Sequence, residues 1–202
     1  MAVIDPKKHA TQKSFENKSG SSANVEKKRI TAGKKFMVPV GAAYKMKNDK
    51  RILEMALVCV EDYNDTKEEG AIHFENFYLT ERALFRISNW ALAMGWESAF
   101  DPDKLESIQD IMLHGGFVAI FDNREYNGKS YLDLKWFNIA DDKTRAKNGS
   151  IEFNDDEMEI IKQAEQAYPK IIKYKKENFG DEYLSVGLAN DSDEQDYEEL
   201  PF

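Results

Sequence analysis

Apolar and polar residues alternate with a period of two from Gly115 to Ile139, GGFVAIFDNREYNGKSYLDLKWFNI. Phe117, Ala119 and Phe121 interleave with Val118, Ile120 and Asp122. After Asn127-Gly128, Tyr131, Asp133 and Lys135 interleave with Leu132, Leu134 and Trp136. Period two with aromatic and β-branched residues predicts two strands. Asn-Gly is the favoured pair where a two-residue hairpin turn needs positive φ. Parity assigns Val118, Ile120, Leu132 and Leu134 to the core, and Trp136 goes with Leu132 and Leu134. Tyr131 and Lys135 fall on the opposite face.

Three more strands are predicted upstream. KFMVPVGAAYKMK (35–47) reads as a long strand broken at Pro39, which lacks an amide donor, and bent at Gly41. RILEMALVCV (51–60) has a continuous apolar centre, which suits burial on both faces. AIHFENFYL (71–79) is the third. Val38, Val40 and Leu57 join the expected core. The period then changes. Leu84, Ile87, Ala91 and Met94 fall at helical spacing, with Phe85 and Leu92 on an adjoining stripe, Thr80 as the expected cap and Gly95 as the stop. A shorter helix is expected from Asp101 to Leu113, capped by Asp101 with Pro102 in its first turn.

The predicted chain is mainly β with helices: five strands, a helix between the third and fourth, and a further helix near Asp155 to Tyr174 that Pro169 should break or kink. This is the arrangement of a five-stranded OB-fold-like barrel, although a mixed α+β sandwich gives the same order. The expected divisions are a basic mobile arm (1–29), the barrel domain (30–140), a linker and C-terminal helix (141–180) and an acidic tail (181–202).

Charge is unevenly spread. Residues 1–35 hold nine Lys/Arg against three Asp/Glu, residues 36–150 fourteen against nineteen, and residues 151–202 five against fifteen. The two ends therefore suit different partners, or each other. No apolar run approaches the ~20 residues of a membrane span, and the first residues lack the apolar core of a secretory signal. The single cysteine, Cys59, lies in an apolar run and reads as a buried thiol.

Catalytic patterns are weak. His9, His73 and His114 lie in three different segments, one cysteine cannot build a Cys/His metal cluster, and no phosphate-binding Gly-rich loop, GxSxG or HExxH is found. The expectation is a protein without enzymatic activity, metal or cofactor. Aromatic rings interleaved with cations are more informative, because rings stack on bases and cations meet phosphates. The candidate single-strand-binding residues are Lys34, Lys35, Phe36, Tyr44, Lys45, Lys47, Arg51, Phe74, Phe77, Arg124, Tyr126, Lys129, Tyr131 and Lys135. About half of these rings are expected to fill a core instead.

The YNGKSYLDLKWF stretch, behind GGFVAIF and LTERALFRISNWA, resembles a family of small bacteriophage proteins regarded as OB-fold single-stranded-DNA-binding proteins. The resemblance covers about residues 30–140 and rests on Tyr126, Gly128, Lys129, Tyr131 and Phe137. The acidic segment DSDEQDYEELPF resembles the ending of bacterial and phage single-stranded-DNA-binding proteins, which finish in an aromatic, commonly Pro-Phe. It implies binding of single-stranded DNA in the cytoplasm of a bacterial host. It also implies recruitment of replication or recombination proteins through Leu200, Pro201 and Phe202, and leaves room for a homo-oligomer. The alternative is an interaction adaptor or recombination mediator with weak DNA binding.

Overall fold

The structure is a computed structural model that describes residues 28–47, 50–140, 151–179 and 184–187. The elements are β1 (Gly33–Lys47), β2 (Lys50–Asp62), β3 (Ile72–Tyr78), α1 (Leu84–Ala93), α2 (Leu105–Met112), β4 (Phe117–Tyr126), β5 (Lys129–Ile139), α3 (Asp155–Phe179) and β6 (Leu184–Gly187). All strand pairs are antiparallel, in the order β3-β2-β1-β4-β5, and the short β6 pairs with β1 at Gly41 to Tyr44.

β1 is long enough to serve β2 along one edge and both β4 and β6 along the other. Its register on β2 shifts twice, between Phe36 and Met37 and between Pro39 and Gly41. The expected break is therefore a bulge within one continuous strand, with Pro39 opposite Leu57 and Val40 as the extra residue before Gly41 meets Ala56. The Asn127-Gly128 turn forms as expected, with φ of 51° and 70° and Tyr126 paired to Lys129.

Helices cover both faces of the sheet. On the inner face, Ile87, Trp90 and Ala91 of α1, its C-cap Met94, and Ile108, Ile111 and Met112 of α2 bury Met37, Leu53, Met55, Leu57, Phe77, Phe117, Phe121 and Leu134. On the outer face, Ile161, Ala164, Tyr168 and Ile172 of α3 bury Phe36, Val38, Val40, Ala56, Val58 and Val118. β2 is sandwiched between them, which explains its continuous apolar run, buried from Ile52 to Val60. Gly41 permits this closeness: a Cβ there would lie 2.3 Å from the Tyr168 ring.

Helix boundaries depart from expectation. The Thr80 carbonyl accepts from Ala83 and Leu84 in a turn, so α1 begins at Leu84 without a side-chain cap. Its end is as expected: Gly95, at φ 81°, donates to Leu92 and Trp96 to Ala91, the paired bonds of a Schellman stop. Asp101 caps a turn by accepting from the Asp103 amide, and α2 starts only at Leu105. α3 runs through Pro169 to Phe179. Its start is a reciprocal cap, with Glu157 donating its amide to the Asn154 side chain and Asn154 its amide to Glu157.

The expected barrel is not closed by hydrogen-bonded strands, since β3 and β5 are the two edges of the strand order. Side chains span the seam instead. Arg86 of α1 donates to the Glu75 carboxylate on β3 at 3.2 and 3.0 Å and to the Leu134 carbonyl on β5. The Phe77 and Phe137 rings stack across the same seam at 5.8 Å.

Candidate nucleic-acid interface

The β4–β5 register passes from Phe121 opposite Leu134 to Ile120 opposite Trp136, leaving Lys135 as the extra residue of a bulge. The bulge reverses parity along β5 and overturns the assignment of Trp136 to the core. Leu134 is buried, whereas Trp136 is 58% exposed. Ile120 and Leu132, also assigned to the core, are only half-buried. A sequence signal for the bulge exists: the apolar positions switch from even (132, 134) to odd (137, 139).

With this register, the outer face of the hairpin carries successive cross-strand rows: Ile120 with Trp136, Asp122 with Asp133, Arg124 with Tyr131, and Tyr126 with Lys129. Tyr126, Tyr131, Arg124, Lys129 and Lys135 are all exposed, and none of the three aromatic rings belongs to either core. Lys135 pairs with Asp122 at 2.9 Å, and that ammonium holds the Asp122 carboxyl below the usual carboxylate range. On β1, Lys34 extends the Ile120–Trp136 row by one strand, and its ammonium lies 4.6 Å from the Tyr63 ring centroid. Four cations thus share this face with two carboxylates, a local reversal of the acidic average.

The other candidates serve the fold. Lys35 lies on the inward parity of β1, wholly buried, 3.0 Å from Asp62 and 2.8 Å from Glu68. Burial alone would lower its pKa, but the hydrogen bonds and charges of Glu68 and Asp62 more than reverse this and hold it above the ordinary value. Phe36 and Phe77 are core residues. The Tyr44 ring is buried, its hydroxyl donates to the Pro102 carbonyl at 2.6 Å, and burial drives its pKa upward. Arg51 stacks on that ring at 4.1 Å and pairs with Asp103 at 3.0 Å, tying the start of β2 to the turn before α2. Lys45 and Lys175 converge on the buried Glu54, and Lys175 also sits 3.4 Å over the Phe74 ring. Phe74, Lys45 and Glu54 therefore belong to the seat of α3. For Lys35 and Lys45 the cause is shared: lysines near a strand read as surface cations unless the carboxylates that bury them are known. The Lys47 side chain and Leu200, Pro201 and Phe202 lie outside the described residues, as do residues 1–27 of the basic arm.

Burial pushes the Cys59 thiol up to about 12, which removes it as a nucleophile near neutral pH. His73 lies 3.3 Å from Glu75 in the seam network. Among the described residues no group of three or more His, Cys, Asp or Glu could hold a metal ion, and no helix is long and apolar enough to cross a membrane. The exposed rings and cations of β4 and β5 are thus the most ligand-like arrangement among the described residues. No protein-family model matches the chain, and comparison with curated proteins finds no sequence match.

Proposed function

We propose that this protein binds single-stranded DNA, without enzymatic activity, on the outer face of the β4–β5 hairpin. The observation that carries this reading is the set of exposed rings Trp136, Tyr131 and Tyr126, which fill no core, set among Lys135, Arg124 and Lys129. Rings stack on any base and cations meet the backbone, so binding is sequence-tolerant and salt-sensitive. The strand order supports an OB-type reading. That fold is a partly open five-stranded barrel whose oligonucleotide surface includes the loop between its fourth and fifth strands, here the Asn127-Gly128 turn. Recruitment of replication or recombination proteins through Leu200, Pro201 and Phe202 is part of the same proposal.

Fluorescence anisotropy with labelled oligo(dT), a duplex control and a salt series tests the reading. Tight, salt-sensitive binding of the single strand with weak duplex binding is expected. Equal affinity for the two, or none for either, refutes it.

A second reading, an interaction adaptor, draws on α1, whose Phe85 and Leu92 are exposed one helical heptad apart. Under that reading, Phe85→Ala abolishes partner capture while oligo(dT) binding is absent in the wild type.

A further inference from the structure

The outer face of the sheet is divided by α3. The row Phe36–Val118 lies in the core that α3 covers, and the Phe36 ring also stacks on Phe153 at 6.3 Å. The next row outward is Lys34, Ile120 and Trp136, which are direct neighbours across β1, β4 and β5. Ile120 and Trp136 form an apolar cross-strand pair that belongs to neither core. Ile120 is half-buried between two long side chains, and the Lys34 ammonium rests on the Tyr63 ring. Lys34 is held there by backbone bonds: its amide donates to the Asn64 side chain and its carbonyl accepts from Tyr63.

We propose that this row is a nucleotide subsite, with Ile120 as its floor, the Trp136 indole as the wall on which a base stacks, and Lys34 as the phosphate contact. The inference rests on the proposed binding of single-stranded DNA and fixes where the track on the hairpin ends. Outer rows repeat about every 6.8 Å along a strand, so the track from Tyr126 to Trp136 is roughly 20 Å long. Beyond it Val118 of β4 is buried beside Phe36, over which Phe153, in the segment leading into α3, is stacked, and Lys34 lies roughly 10 Å to the side, two strands over. The strand therefore turns across the sheet at Trp136 towards the β2–β3 loop, and the footprint is short, near the lower end of the ~4–16 nucleotides typical of one OB fold.

Trp136 is the exposed member of the three tryptophans, since Trp90 is fully buried and Trp96 is partly so. The test compares wild type with W136F, W136A and K34A, and with Arg124→Ala and Tyr131→Ala as hairpin controls, each titrated with oligo(dT) while tryptophan emission and anisotropy are read. Saturating oligo(dT) should quench the wild type, and W136F should lose the quench while keeping most affinity. W136A should bind about tenfold or more weakly, and K34A should weaken binding and lower its salt dependence. If the wild type binds and Arg124→Ala or Tyr131→Ala loses affinity, but W136A and K34A bind as tightly as wild type, the subsite is refuted and the hairpin surface stands. An unchanged emission in a binding wild type refutes stacking on Trp136 even should W136A fail to fold. Absence of oligo(dT) binding by the wild type overturns both the subsite and the function on which it rests.

Discussion

The Lys35 ammonium lies 3.0 Å from the Asp62 carboxylate, and neither side chain reaches solvent. Glu68 completes the cluster at 2.8 Å, with Thr66 and the backbone amides of Thr31, Asn64 and Thr66 satisfying the remaining carboxylate oxygens. One lysine thereby pins the β2–β3 loop, and the chain entering β1, onto the sheet. Replacing it leaves two buried carboxylates without their cation. Lys35→Met should cost about 3–5 kcal/mol of stability in urea unfolding. The oligo(dT) affinity of the remaining folded protein should be unchanged, and a selective loss of affinity would restore Lys35 as a DNA contact.

The same cluster determines a pH dependence. Burial opposes ionisation of Asp62 and Glu68, but hydrogen bonds from Thr66, Asn64 and Lys35 to Asp62, and from Lys35, Thr31 and Thr66 to Glu68, depress both pKa values. A depressed carboxylate contributes stability above its unfolded pKa, ~4, that is lost as pH falls through its folded value. Lys35 is raised, so its contribution is complete below its unfolded value of ~10.4 and is lost as pH rises through the folded one. Thermal midpoints should hold between about pH 5 and 10 and drop on acidification below ~4. Lys35→Met should blunt the acid drop; an identical profile would show that other groups govern it.

Arg86 links the two edges of the sheet through Glu75 and the Leu134 carbonyl. Arg86→Met keeps much of the stem but removes those charged hydrogen bonds, at a cost of about 2–3 kcal/mol. Amide exchange in β5 should accelerate more than in β2. Uniform acceleration across both strands would mean that the seam opens only with the whole domain.

The two faces of β5 should separate binding from stability. Tyr131→Ala or Arg124→Ala should weaken oligo(dT) binding by roughly 1–3 kcal/mol with little change in thermal midpoint. Leu134→Ala should cost about 2–5 kcal/mol of stability as a core truncation, with binding of the folded protein retained. The opposite pattern would mean that the hairpin faces are exchanged.

Elements that local chemistry dictates are legible in the chain alone. Asn127-Gly128 specifies its turn because few other pairs tolerate two successive positive φ angles, and the Ile52–Val60 run announces a strand covered on both sides. Features that depend on partners distant in the chain emerge only once the sheet and helices pack. Whether Lys34 or Lys35 meets solvent follows from which of them faces Asp62 and Glu68 across the register. Trp136 lies outside because a single inserted residue, Lys135, reverses parity after Leu134. The seat of Phe74 and Lys45 was settled by α3, whose Lys175 reaches Glu54 from 121 positions away, a distance over which no local pattern carries information.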